Sequence, residues 1–301
     1  MKKTGLKRVL AAMQDPGGSA AVLPVVKLFK KEGKVDVKIF CGKYSYALLE
    51  REKISFVRAG DFSDKKLESQ FRGFNPDLVF TANSFGFSLD KKVLRIAKKA
   101  EIPTISIIDF WSNYWLRFLK EGEKKDPRFL PDKIIVIDRI MKKEMVKEGF
   151  PGELIKVFGN PSLESLPLKK RLKRGNVLKI LFISQPIRDI YGEKGYFGFD
   201  EFEVLKDFLE VIKGLKADLT VRLHPKEKTG KYDSIIGKQK IKIDQESNLD
   251  ELIYDANLVL GINSIALFRA SLAGIPVISY QPGLKDLKDD ALISNRLKLS
   301  E

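Results

Sequence analysis

The stretch LVLGINSIALFRASLAGIPVISY, residues 258 to 280, decides the fold. Leu258 to Leu260 is a continuous apolar run, the mark of a strand buried on both faces. Gly261-Ile262-Asn263-Ser264 breaks it with turn residues, and Ile265 to Ala273 then carries apolar residues at helical spacing. Gly274-Ile275-Pro276 ends the helix before a second apolar run, Val277 to Tyr280. A strand, a helix and a strand joined by turns this short make a parallel pair with a crossover helix.

The same alternation extends outward from that unit. Leu178 to Ser184, Leu219 to Leu223 and Ile241 to Ile243 read as strands, with helices near Phe202 to Lys213 and Leu249 to Tyr254. Nearer the start, Arg8 to Met13, Val35 to Phe40, Ile54 to Val57, Leu78 to Thr81, Thr104 to Asp109 and Lys133 to Ile137 read as strands. Ala20 to Lys31, Tyr46 to Lys53, Leu89 to Ala100 and Arg139 to Gly149 read as the helices among them. The pattern resets after Val157-Phe158-Gly159-Asn160-Pro161. Residues 1–165 and 166–301 are therefore expected to form two α/β, Rossmann-like domains facing each other across a cleft. The length of 301 residues agrees with two domains of roughly 150 residues each. With 44% hydrophobic and 32% charged residues, the chain has material for two cores and is not a disordered polymer.

Composition narrows the setting. No run of about 18 apolar residues occurs, so neither a transmembrane helix nor a signal peptide is expected. The single Cys41 can form no internal disulfide and reads as a small buried apolar residue in a reducing, cytoplasmic protein. A net charge of +15 favours anionic partners. Lys91, Lys92, Lys98 and Lys99 read as a solvated helix face. The dense block Lys169, Lys170, Arg171, Lys173 and Arg174 reads as a solvated linker or as a peripheral contact with an anionic membrane surface. No aromatic-basic motif supports a nucleic-acid partner. No metal cluster is visible and no cofactor is expected.

Open α/β sheets bind ligands outside the carboxyl ends of their strands, so the loops there carry the candidates. Gln14-Asp15-Pro16-Gly17-Gly18-Ser19 runs from the first strand straight into a helix. It reads as a loop where Gly17 and Gly18 admit a ligand to the helix amides, or as a plain turn with Ser19 as N-cap. Asp15 is placed to take a proton. Arg222-Leu223-His224-Pro225-Lys226 sets the only histidine after a strand, where Arg222, His224 and Lys226 suit phosphate. Asn263 and Ser264 at a helix start make a second anion site, or simply cap that helix. Asp109-Phe110-Trp111-Ser112-Asn113-Tyr114-Trp115 follows another strand; Trp111, Tyr114 and Trp115 form either a platform for an acceptor sugar or a packed helix.

The succession Leu181-Phe182-Ile183-Ser184-Gln185-Pro186, Arg222 to Lys226, and Asn263-Ser264 through Ala270, Gly274 and Pro276 resembles the donor-binding domain of the glycosyltransferase B (GT-B) superfamily. It is closest to the polysialyltransferase and capsular-polysaccharide transferase branch. The Asp-Pro-Gly-Gly loop and the residue 157–161 linker are similar to the superfamily more widely, including sugar-nucleotide 2-epimerases. The resemblance implies that residues 166–301 hold a nucleotide-sugar donor, with Gln185, His224, Ser264 and Asn263 near its phosphates. It also implies that a carboxylate of the N-terminal acceptor domain, Asp15 or Asp109, is the base. The implied activity is metal-independent transfer of the sugar to a polysaccharide or glycolipid acceptor. The alternatives are a 2-epimerase-like enzyme and a non-catalytic nucleotide-binding protein. One departure stands out: where relatives carry a glutamate for the ribose hydroxyls, this chain has Arg269, which cannot accept hydrogen bonds from a diol. A phosphate or sugar carboxylate is its expected partner.

Overall fold

The computed structural model describes residues 6–84, 88–120, 122–166, 176–192, 198–237 and 239–283. The chain divides into two compact units, Met1–Ser165 and Leu166–Glu301. The basic block at residues 169–174 lies outside the described residues. Among the described residues no helix is long and apolar enough to cross a membrane.

In the first unit, β1 (Lys7–Met13), α1 (Pro16–Glu32), β2 (Val35–Cys41), α2 (Tyr46–Arg51), β3 (Val57–Arg58), α3 (Asp64–Phe74) and β4 (Leu78–Ala82) come first. They are followed by α4 (Leu89–Lys99), β5 (Thr104–Ile107), β6 (Lys133–Val136), α5 (Arg139–Lys147), β7 (Ile155–Val157) and α6 (Pro161–Glu164). The strands form one sheet in the order β3-β2-β1-β4-β5-β6-β7, with every pairing parallel. Successive β1 residues bury on opposite faces: Val9, Ala11 and Met13 against α1, Leu10 and Ala12 against the α3 and α4 side. That two-sided burial is why the strand is apolar without interruption from Val9 to Met13.

The second unit runs β8 (Leu178–Ile183), α7 (Ile187–Tyr191), α8 (Glu201–Ile212), β9 (Ala217–Arg222), α9 (Asp233–Ile236), β10 (Lys242–Asp244), α10 (Leu249–Asp255), β11 (Leu258–Gly261), α11 (Ile265–Leu272) and β12 (Val277–Ser279). Its parallel sheet has the order β10-β9-β8-β11-β12. Ile180 and Phe182 join the core on one face, and Leu181 and Ile183 the core on the other.

Both orders reverse direction at one place, between β1 and β4 in the first sheet and between β8 and β11 in the second. Chain leaving two such neighbouring strands turns to opposite faces, which leaves a crevice at their carboxyl ends. Met13 pairs with Ala82 at the first, and Ile183 with Gly261 at the second. The loops carrying Asp15, Gln185 and Asn263-Ser264 leave the sheets at these two points, while those carrying Asp109 and His224 follow the adjacent strands β5 and β9.

Cys41 is fully buried, and burial pushes its thiol up to about 12. Lys91 departs from its expected solvated face: it is 1% exposed. Its Nζ donates to the carbonyl oxygens of Leu116 and Leu119 (2.8 Å for the latter), so it ties the 112–119 segment to α4. Lys92 and Lys98 do lie at the surface, paired with Asp64 and Asp132.

Candidate functional site

In the N-terminal unit Pro16 takes the first position of α1, and Asp15 is its N-cap by backbone conformation without its side chain capping the helix. Ser19 is not the cap. It lies within α1, fully buried, its hydroxyl 2.7 Å from that of Ser45. The two glycines serve close packing rather than an outside phosphate. A β-carbon at Gly17 would collide with Oδ2 of Asp109, and one at Gly18 would lie 2.9 Å from Cβ of Ala82 on β4. A side chain at either position would therefore meet Asp109 or Ala82, so both glycines are needed for close packing around the start of α1.

Asp109 lies two residues beyond the end of β5 and is fixed from the other side by Arg117. The guanidinium donates to Asp109 Oδ1 (2.8 Å), to the Asn83 carbonyl (3.0 Å) and to the Ser112 carbonyl (3.0 Å). Asn83 returns a bond from Nδ2 to the Arg117 carbonyl (3.2 Å). The loops after β4 and β5 are thus joined through one buried cation.

The aromatic residues belong to this scaffold. Trp111, Tyr114 and Trp115 are 8%, 1% and 5% exposed. Trp111 Nε1 donates to Asp138 (2.8 Å), the Tyr114 hydroxyl to Glu144 (2.7 Å), and Trp115 Nε1 to the Glu148 carbonyl (2.9 Å). Trp115 also packs on Phe150 with ring centroids 4.2 Å apart. Rings sandwiched in this way against α5 and the turn after it offer no open face for a pyranose, so the acceptor-platform expectation is replaced by a packing role.

In the C-terminal unit Gln185, just past β8, is bonded twice to Asn263, just past β11. Asn263 N–H donates to its Oε1 (2.9 Å) and its Nε2 donates to Asn263 Oδ1 (2.7 Å). Ser264 caps α11, its hydroxyl accepting from Ala266 N–H (3.2 Å). His224 lies on the neighbouring loop after β9. Its Nδ1 accepts from the Lys226 amide (3.1 Å), which leaves Nε2 to carry the proton of the neutral ring. The loops holding Gln185, His224, Asn263 and Ser264 therefore leave three adjacent strands at one edge.

Two cations expected there are committed elsewhere. Arg222 is paired with Asp244, beside its own strand. Arg269 makes a fork onto Asp250 of α10, with Nη2 at 2.7 and 2.8 Å from the two oxygens. Both guanidinium groups are held by carboxylates of the protein itself, and Lys226 contributes its backbone amide to the His224 turn.

Beneath the His224 loop lies a charged network that sequence reasoning missed. Glu227 accepts from His224 N–H (2.6 Å), from the Ser184 hydroxyl (2.7 Å) and from Lys231 Nζ (2.6 Å). Lys231 also donates to Glu201, and Ser184 bonds Tyr232 (2.5 Å). Lys231 is 6% exposed, and the side chains of Glu227 and Glu201 are fully buried. Burial opposes the lysine's charge, but its bonds to Glu201 and Glu227 outweigh that and hold its pKa above the usual value. Residues 227–231 form turns rather than helix, so no local pattern announced the Glu227–Lys231 pair.

Burial, and then the nearby Lys226, Lys231 and Arg222, push His224 down to about 4. A ring so depressed is neutral near pH 7 and acts as a hydrogen-bond donor rather than a cation. The unfolded chain takes up this proton first as pH falls. The contribution to stability is therefore complete above about pH 6.5 and is lost on descent through about pH 4, by up to about 3 kcal/mol. Chemical denaturation of the wild type and His224→Gln at pH 7 and pH 4.5 should show the variant losing less stability on acidification; equal losses would contradict the assignment.

No protein-family model matches the chain, and no curated protein matches it in sequence. Solved structures do match its fold. The N. meningitidis UDP-GlcNAc 2-epimerase bound to UDP-GlcNAc superposes with a TM-score of 0.68 at 16% identity, covering 90% of this chain and 82% of that one. The Methanocaldococcus jannaschii UDP-GlcNAc 2-epimerase in complex with UDP-GlcNAc and UDP gives 0.68 at 16%, covering 98% and 93%. S. aureus MnaA with UDP gives 0.68 at 14%, covering 92% and 80%. The fold is thus that of the glycosyltransferase B type, two Rossmann-like domains in one chain.

Proposed function

We propose that the chain is an enzyme acting on a UDP-linked sugar, of the sugar-nucleotide 2-epimerase kind. The observation that carries the reading is the bridge between Gln185 and Asn263 at the start of α11, with the neutral His224 on an adjacent loop. Hydrogen-bond donors and helix amides gathered where the strand order reverses suit a diphosphate. The superposition of nearly the whole chain on proteins solved with UDP or UDP-GlcNAc supports UDP as the nucleotide. Inverting a ring carbon requires a proton to leave one face and return to the other, and Asp15, a carboxylate just past β1, is the candidate for such work, whereas Asp109 is held by Arg117. The His-Pro and Asn-Ser motifs support a second reading, glycosyl transfer to a polysaccharide or glycolipid acceptor.

The test is proton NMR of the protein with UDP-GlcNAc alone. The 2-epimer should accumulate with no second substrate. UDP release that depends on an added acceptor would instead establish transfer, and absence of both would leave only binding. His224→Ala should weaken UDP binding by about 10- to 100-fold in calorimetry, the loss expected for one hydrogen bond to a charged group. Wild-type affinity in both His224→Ala and Ser264→Ala would place the nucleotide elsewhere.

A further inference from the structure

The turn that carries His224 is closed on itself. The His224 carbonyl accepts from the Glu227 amide (2.9 Å), and Pro225 between them fixes the direction of the backbone. Two side chains then bond back into the turn. His224 Nδ1 accepts from Lys226 N–H (3.1 Å), and the Glu227 carboxylate accepts from His224 N–H (2.6 Å). This is the reciprocal pattern of a helix capping box, built here on a turn at residues 225–226. Its effect on the ring is specific: with Nδ1 used as an acceptor, the proton is kept on Nε2.

The carboxylate that closes the turn is also tied to the neighbouring loop. Glu227 Oε1 accepts from the Ser184 hydroxyl (2.7 Å) and from Lys231 Nζ (2.6 Å), while Oε2 takes the His224 bond. Ser184 gives its only proton to Glu227, so the Tyr232 hydroxyl is the donor in the bond those two hydroxyls share. Ser184 lies directly before Gln185, which bridges to Asn263. From the loop after β10, Gln245 Nε2 donates to the carbonyls of both His224 (2.9 Å) and Glu227 (2.8 Å). Glu227 thus receives three donors, which an ionised carboxylate can do because it has no donor of its own. An amide in its place would set an NH2 group against at least one of them.

We infer that Glu227 is a positioning residue for the candidate nucleotide site: it holds the His224 turn with the ring proton on Nε2 and locks that turn to the Ser184–Gln185 step. The consequence for UDP rests on the nucleotide reading above, whereas the clamp on the turn does not.

Because the chain has one histidine, nitrogen-15 NMR of the full chain labelled at histidine reads the clamp without any nucleotide. At pH 7 the wild type should show the Nε2–H tautomer alone, and Glu227→Gln a mixture of both tautomers. A fixed Nε2–H tautomer in the variant overturns the inference. The second arm is a double-mutant cycle on UDP affinity, read by calorimetry. Glu227→Gln should weaken binding about tenfold in the wild-type background and less than about twofold in His224→Ala, because the loss passes through the ring. Equal losses in both backgrounds, the mark of a merely structural role, or no loss in either, overturn it as well. Should Glu227→Gln fail to fold, Ser184→Ala, which leaves the Glu227–Lys231 pair in place, replaces it in both arms, with a partial tautomer mixture and a loss of about threefold that vanishes in His224→Ala. A wild type that does not bind UDP sinks the nucleotide reading and leaves the tautomer measurement to judge Glu227.

Discussion

Lys231→Met should destabilise the C-terminal unit by about 3–5 kcal/mol, the range for removing one partner from a buried ion pair. Methionine fills the volume, so the loss is electrostatic. Glu227 and Glu201, both fully buried, would face each other's charge with no cation, and the bond from His224 N–H to Glu227 would lose its fixed anchor. Urea unfolding followed by a probe in that unit measures the effect. Adding Glu227→Gln to Lys231→Met should restore part of the stability, because the surplus negative charge is then removed. A loss below about 1 kcal/mol for Lys231→Met, or no recovery in the double variant, would mean the network is not held by its charges.

Arg117→Met should have an effect of similar size, about 3–5 kcal/mol, in the N-terminal unit. Arg117 and Asp109 are 10% and 13% exposed, and the guanidinium also satisfies the carbonyls of Asn83 and Ser112. Its loss leaves those acceptors and one carboxylate oxygen without their donor, while the other oxygen still faces α1 at Gly17. Arg117→Lys should recover little, since an ammonium cannot reproduce the planar set of three bonds. Near-complete rescue by lysine, read as the midpoint of thermal unfolding, would show that only the charge matters.

The sheets were legible because burial on both faces forces the buried part of each central strand to be continuously apolar, as in Ile180 to Ile183. The ends were less so. The edge strand β3 falls at Val57–Arg58 rather than Ile54 to Val57, and β7 at Ile155–Val157 was not read as a strand because only Ile155 is buried. Helix α3 passed unnoticed: its buried face is just Leu67 and Phe71, although Ser63 caps its start. The candidate loops were found from strand ends and turn residues, but the partners of charged side chains were not. Arg222 and Arg269 looked like phosphate ligands until Asp244 and Asp250 were seen beside them, and no local pattern tells a solvated Lys92 from a buried Lys91. Pairings across elements arise from topology, which brings Ser84 to Asp15 and Gln185 to Asn263 over 69 and 78 residues of sequence.

Hydrogen exchange with and without UDP tests the placement of the nucleotide most directly. UDP should slow exchange in the turns at Gln185–Ile187, Leu223–Lys226 and Gly261–Ala266 of the C-terminal unit, and Ser264→Ala should weaken that protection. Protection confined to other segments, or none at saturating UDP, would contradict it.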